Sequence, residues 1–287
     1  MSIGQNSMVS VIIPAHAKVN RLALTLAGIV GQQNFGSFEL IIVADGANNE
    51  VKEFLSENYP KYVLETPGLG RAAARNMGAK HATGDLLIFL DDDVLVKKNF
   101  VIAHMQAQQV NPGLVHGQMR EIIGLLKVDN PCDGSYGCPP ISINDLIQGV
   151  WKPDGMRLVA NPLEQAAETQ KFAPWLASAG ANISVSRYLW QSVDGFDESY
   201  GKHWGVEDLD FGFRLSKEGV HISLSKNACG FHMSHTLNNR WEQHKHNLQK
   251  FQLLANSSSR EAQALDCLLS PKGSLIEFET KLDQMCT

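Results

Sequence analysis

A chain of 287 residues that is 44% hydrophobic and 19% charged holds enough apolar material for one large α/β domain, or for a domain with an appendage, which excludes a disordered class. Its formal charge of −5, with 25 Lys and Arg scattered along the chain, offers no basic field for a polyanion and argues against nucleic acid as a partner. No apolar run approaches the roughly 20 residues of a membrane-spanning helix, and the polar stretch from Met1 to Met8 lacks the basic start and long apolar region of a signal peptide.

Val9–Ile13 has the apolar, β-branched character of a buried strand, and Arg21–Gln33 follows with helical spacing. Phe38–Ala44 (FELIIVA) and Leu86–Leu90 (LLIFL) predict two more strands. Between them Val51–Asn58 and Gly70–His81 read as helices, the second rich in Ala and other small residues that suit close packing on a sheet. Such alternation predicts a parallel sheet covered by helices. Ligands of these sheets sit at the carboxyl ends of the strands, which here are Pro14–His16, Asp45–Gly46 and Asp91–Asp93.

From Asn111 to Phe172 the pattern is less regular, with a turn-rich loop at Asp129–Pro140 and a short helix expected at Asp145–Trp151. Gly-rich turns and an acidic cluster occupy Trp175–His235, and Asn238–Ala255 and Ser259–Leu269 predict helices. Their apolar residues, Trp241, Leu248, Phe251, Leu253 and Leu254, are expected to pack back on the preceding domain. A homodimer through these helices and a peripheral contact with a membrane surface are the alternatives. His244 and His246 read as solvated helix surface. Five cysteines, Cys132, Cys138, Cys229, Cys267 and Cys286, are odd in number and widely spaced, which predicts a reduced, cytoplasmic setting. Cys132 and Cys138 alone are near enough in sequence for a small bridge.

Three successive aspartates, Asp91, Asp92 and Asp93, repel one another and need a cation or donors to compensate them. In an extended segment Asp91 and Asp93 address one ligand while Asp92 turns aside. Hard oxygen ligands of this kind suit Mg2+ or Mn2+ holding a diphosphate. The competing reading is the acidic start of a helix over Val94–Val110. The same two readings apply to Glu207 and Asp208 in HWGVEDLDFGFRL: a catalytic carboxylate pair, or the acidic first turn of a helix. In ACGFHMSH, expected after a strand, a neutral imidazole of His232 or, less favourably, His235 suits a metal shared with carboxylates.

The run TPGLGRAAARNMGAKHATGDLLIFLDDD, from Thr66 to Asp93, resembles the family 2 glycosyltransferases of the GT-A fold, whose conserved block ends in a metal-binding DxD motif. VSVIIPAH and LIIVADGA are similar to that family's nucleotide-contacting strands, and HWGVED to the W-G-x-E-D element of galactosyltransferase-like and chondroitin-polymerase-like enzymes. The resemblance implies that Pro14, Ala15 and Asp45 border uracil and ribose, that Arg75, Asn76, Asp91 and Asp92 lie at the donor nucleotide, and that Asp93 and His232 hold Mn2+ or Mg2+. It further implies Asp208 as catalytic base, Glu207 on substrate hydroxyls, and Trp204 and Gly180 at the sugar. Without it, Arg75 reads as a surface cation, Asn76 as a satisfied helix residue and Asp45 as part of an ordinary turn.

The expected architecture is therefore α/β of the GT-A type: a mixed, Rossmann-like sheet flanked by helices over residues 1–237, with a nucleotide half to about 110, an acceptor half from 111, and a helical extension at 238–287. The expected function is metal-dependent, inverting transfer of a hexose or N-acetylhexosamine from a UDP-sugar to an unknown acceptor, whether a glycan, a peptide side chain or a small molecule. A sugar-nucleotide pyrophosphorylase or nucleotidyltransferase is one alternative, although PAHAKVNR lacks the Gly-rich basic loop that a triphosphate would need. A catalytically inactive nucleotide-sugar-binding module is the other.

Overall fold

The computed structural model describes residues 7–33, 36–123, 157–161, 163–169, 173–233, 240–255, 259–270 and 273–285. The loop expected at 129–140, the helix at 145–151, the Cys132–Cys138 pair and His235 lie outside these residues.

Strands β1 (Val9–Ala15), β2 (Glu39–Asp45), β3 (Val63–Thr66) and β4 (Leu86–Leu90) form the parallel part of the sheet, in the spatial order β3-β2-β1-β4. Helices α1 (Val19–Val30), α2 (Asn49–Asn58) and α3 (Arg71–His81) connect them, as the alternation predicts. Because successive strand residues face opposite sides, Val11 and Ile13 of β1 join one core with Leu22 and Leu26 of α1, while Ile12 joins another with Ala74 and Ala79 of α3. Gly78 lets α3 approach closely, since a Cβ there would lie 2.4 Å from Ile12 Cγ2. Burying each of the Val, Leu and Ile side chains among these contributes about 1.5–3 kcal/mol.

After β4 the chain does not enter a helix. Val94–Val96 is a short strand, β5, and α4 begins only at Phe100, running to Val110. The three aspartates thus occupy a strand-to-strand turn, which removes the acidic-helix-start reading for them. Four further strands, β6 (Leu114–Ile123), β7 (Arg157–Ala160), β8 (Asn182–Ser186) and β9 (Ile222–Met233), complete a mixed sheet. Beyond β4 its order is β8-β6-β9-β5, with β7 on the far half of β6. The 228–233 segment, expected to follow a strand, is the end of β9 itself.

Helix α5 (Glu164–Thr169) precedes β8, which leads into α6 (Arg187–Ser192), and α7 (Glu207–Lys217) precedes β9. The C-terminal helices α8 (Arg240–Leu254), α9 (Arg260–Ala264) and α10 (Leu275–Gln284) pack on the same side of the sheet as α3 and α7. Leu248 and Phe251 of α8, Leu265, and Phe278 of α10 share one apolar core with Trp175 and Phe213. Leu253 and Leu254 instead project outward, 82% and 55% exposed. Among the described residues no helix is long and apolar enough to cross a membrane.

Candidate active site

The carboxyl ends of β1, β2 and β4 are tied together. Pro14 and Ala15 close β1 beside Val43 and Ala44 of β2. Asp45 turns its carboxylate onto the segment ahead of α3, accepting from Leu69 N at 2.6 Å, Gly70 N at 2.8 Å and the Thr66 hydroxyl. His16 joins the neighbouring strand ends: its Nδ1 lies 2.8 Å from the Asp45 carbonyl, and its backbone N–H donates to Asp92 Oδ2 at 3.3 Å. Removal from water, then the charges of Asp93 and Asp91, push the Asp92 carboxyl up to about 8.

Asp93 faces a different partner. Pairing of β5 with β9 sets Val94 opposite His232, and pairing of β6 with β9 sets Glu121 opposite the same residue. His232 consequently stands between two carboxylates, Nε2 3.3 Å from Asp93 Oδ2 and Nδ1 2.7 Å from Glu121 Oε2. Burial opposes protonation of the imidazole, but the two carboxylates outweigh it and hold His232 well above its usual range. A metal-ligating histidine commonly has one ring nitrogen fixed by a carboxylate, and Glu121 is placed for that task. Among the described residues no group of three or more His, Cys, Asp and Glu forms a metal shell. Asp93 and His232 nevertheless fit Mg2+ or Mn2+, which are bound through one or two side chains with water and substrate phosphates completing the shell.

Arg75 occupies the centre. Although it stands on α3, it is buried and not a surface cation. Its Nη2 contacts Asp91 Oδ1 at 2.9 Å and its Nη1 contacts Glu207 Oε1 at 3.0 Å, with Phe196 under the guanidinium at 5.4 Å. Gly180 is required beside it, because a Cβ there would lie 2.7 Å from Cζ. Glu207 is 4% exposed, and its second oxygen, Oε2, has no hydrogen-bond partner. Asp208 is held by two backbone amides, Gly180 N at 2.9 Å and Leu209 N at 2.8 Å. Burial and the Glu207 charge push its carboxyl up to about 6, against the pull of Arg75 and the amides. These acids do open a helix, as the competing reading had it, but a buried arginine also joins them to the end of β4.

Asn76, next to Arg75, is engaged within the protein. Its Nδ2 donates to the Phe196 carbonyl at 2.7 Å and to Glu198 Oε1 at 2.9 Å, while Oδ1 accepts from Phe196 N and Trp190 Nε1. All four of its hydrogen-bonding positions are filled, so it secures the 190–198 segment.

Trp204 sits on the turn entering α7, with its ring 5.4 Å from that of His244. His244 is 5% exposed, a correction to its reading as solvated surface: the turn covers it. His246 is exposed and lies 4.7 Å from the His203 ring. Gly205 and Val206 both have positive φ, 89° and 78°. For a β-branched residue such a conformation costs about 1–3 kcal/mol and persists only where the surroundings over-determine it. Val206 immediately precedes the Glu207–Asp208 pair.

Comparison with known proteins agrees with this architecture. Residues 10–152 match the model of glycosyl transferase family 2, and residues 163–236 match that described as the N-terminal domain of galactosyltransferase. A chondroitin synthase of Escherichia coli is 26% identical over 237 residues, covering 78% of this chain and 34% of that protein. A validoxylamine A glucosyltransferase of Streptomyces hygroscopicus subsp. jinggangensis is 26% identical over 246 residues, covering 79% of this chain and 56% of its own. The chain thus spans between a third and just over half of these relatives. Among solved structures, GalNAc-T7 with UDP, GalNAc and Mn2+ superposes with a TM-score of 0.58 at 13% identity, covering 97% of this chain and 55% of that one. A likeness at that identity speaks for the fold alone. With both halves matched in chain order on a mixed sheet of this topology, the chain belongs to the family 2 glycosyltransferases of the GT-A fold, with a galactosyltransferase-like second half.

Proposed function

We propose that this chain transfers a hexose or N-acetylhexosamine from a UDP-sugar to an acceptor hydroxyl, with inversion at the anomeric carbon and Asp208 as general base. The observation that carries the reading is the buried bridge from Asp91 through Arg75 to Glu207. It joins the strand-end aspartates to a carboxylate pair whose second member has a proton affinity suited to base catalysis near neutral pH.

In this reading the nucleotide lies along the strand ends at Pro14, Ala15 and Asp45. Asp45 acts through the 66–70 turn that it organises, and Asn76 through the segment that it secures. Asp93 and His232 would hold Mn2+ or Mg2+, which supplies charge neutralisation for the diphosphate. Trp204 offers a ring face to a sugar, and the unpartnered Glu207 Oε2 accepts from a sugar hydroxyl. The acceptor oxygen attacks the anomeric carbon, its proton passes to Asp208, and the bond to the diphosphate oxygen breaks to release UDP. A single displacement of this kind inverts the anomeric centre.

The solved neighbour of the same fold contains UDP, GalNAc and Mn2+, ligands of the kind this reading calls for. By their names, a chondroitin synthase and a validoxylamine A glucosyltransferase span a glycan and a small molecule as acceptors, and both classes fit this reading.

Replacing Asp208 by Asn tests the base directly. The variant keeps the shape and one of the two backbone amide contacts, since its amide nitrogen cannot accept, and it lies away from the strand-end nucleotide site, so UDP binding in Mn2+, followed by calorimetry, stays within about twofold. Transfer falls by roughly 100-fold or more, the range expected on removal of a general base. A variant that transfers sugar at a near-normal rate overturns the assignment.

A further inference from the structure

We propose that α8 is a working part of the catalytic site: Gln243 and Asn247 are positioning residues that clamp the turn at 203–206 and thereby orient Trp204, Glu207 and Asp208. The inference rests on the roles given above to those three residues. Residues 243, 244 and 247 fall on one face of α8, the face turned toward the entry of α7.

The peptide groups 203–204 and 205–206 of the turn meet that face. Asn247 Nδ2 donates to the His203 carbonyl at 3.1 Å and to the Gly205 carbonyl at 2.7 Å. Gln243 Oε1 accepts from Trp204 N at 3.0 Å. Between them the His244 ring supports the Trp204 ring, and its Nδ1 would lie 2.6 Å from any Cβ at Gly205. Asn247 is fully buried with its Oδ1 unpartnered. The other end of the amide holds two carbonyls, which offsets the cost of the unpaired acceptor.

What the clamp holds is the positive-φ pair Gly205 and Val206, of which the valine is the strained member. The Val206 carbonyl accepts from Asp210 N at 2.9 Å, starting α7, so the left-handed valine sets the direction in which Glu207 and Asp208 leave the turn. Phe251, two turns beyond the clamp's first residue, anchors α8 independently: its ring packs at 5.7 Å from Trp175 and 5.3 Å from Phe213 of α7. Deleting the clamp therefore frees the turn without detaching the helix. Among the described residues α8 has no contact with the Pro14–Ala15, Asp45 and Asp91–Asp93 strand ends, which separates its effect from nucleotide binding.

The test compares Asn247→Leu, which keeps volume but has no donors, with Gln243→Leu and Gln243→Glu, the last of which retains an acceptor oxygen for Trp204 N. Three quantities are followed: hydrogen exchange of the 203–210 segment, UDP affinity in Mn2+, and UDP release from a panel of UDP-glucose, UDP-galactose and their N-acetylhexosamine counterparts. In Asn247→Leu and Gln243→Leu the 203–210 amides exchange at least tenfold faster, UDP affinity stays within about twofold, and kcat for UDP release falls 10- to 100-fold. Gln243→Glu restores most of the loss seen in Gln243→Leu. If kcat is unchanged in both Leu variants, or if UDP affinity and β1–β4 exchange deteriorate in parallel with kcat, the positioning role is overturned. A wild-type chain that turns over none of the donors overturns the catalytic reading, and this inference with it. An active wild type with unaffected variants overturns this inference alone.

Discussion

Asp208 lies in opposing fields. Burial and the neighbouring Glu207 strengthen its hold on a proton, while Arg75 and the amides of Gly180 and Leu209 weaken it, and the balance falls at about 6. A general base acts when deprotonated, and the deprotonated fraction grows as pH rises through that value. kcat/KM at saturating Mn2+ is therefore expected to climb about tenfold per unit on the acid side of 6 and to level off by about pH 7. A general acid would give the opposite limb. A profile measured from pH 4.5 to 8 that stays flat through pH 5, or that falls as pH rises, removes Asp208 from the base role. Residues that belong to short motifs could be singled out as candidates from sequence, among them Asp93, His232 and the Glu207–Asp208 pair, with Arg75 added only through the family resemblance. Others could not, for physical reasons. Glu121 becomes meaningful only through its register opposite His232, a pairing more than a hundred residues apart in sequence. Val206 carries no turn signal at all, because its left-handed backbone runs against the preference of a β-branched side chain. Asn247 and Gln243 are ordinary polar residues of a helix until the turn they face is known.

At the scale of elements, the parallel half was readable because β1, β2 and β4 are continuous apolar runs, separated by helices that announce themselves by spacing. β3 has only four residues at the sheet edge and lacks that signature. β6 and β9 are long but carry His, Gln, Lys and Asn among their apolar residues, since they traverse both core and site. The C-terminal helices were expected to pack inward, and Phe251 shows how: it closes an aromatic cluster with Trp175 and Phe213, whose own rings lie 5.3 Å apart. Phe251 is fully buried, so truncation to Ala leaves a cavity as well as losing transfer energy. Phe251→Ala is expected to cost about 3–5 kcal/mol, seen as a lower urea midpoint with an unchanged slope. A loss below about 1 kcal/mol would mean that α8 is only loosely docked, contrary to the shared core.

At the scale of the whole molecule, the proposed donor site would make nucleotide and metal depend on each other. The strand ends present Asp91, Asp92 and Asp93 toward a ligand that is itself an anion, and only Asp93 and His232 among these groups are juxtaposed as candidate metal ligands. A cation alone finds an incomplete shell, and a diphosphate alone meets aspartates that only Arg75 and His232 compensate. Together each supplies what the other lacks, and the coupling is reciprocal. Thermal unfolding reads this out. UDP at about a hundred times its dissociation constant with Mn2+ present stabilises the folded chain by about 2.7 kcal/mol. For a chain of 287 residues that corresponds to a rise in Tm of roughly 4–5 °C. UDP with EDTA is expected to leave Tm in place, and Mn2+ alone to move it by no more than about 2 °C. In Asp93→Ala the joint shift should collapse toward the value for UDP with EDTA. If UDP raises Tm equally with Mn2+ and with EDTA, the nucleotide is held without a metal. Asp93 and His232 would then serve as an ion pair between β5 and β9, with the His232 imidazolium itself as the cation that compensates Asp93.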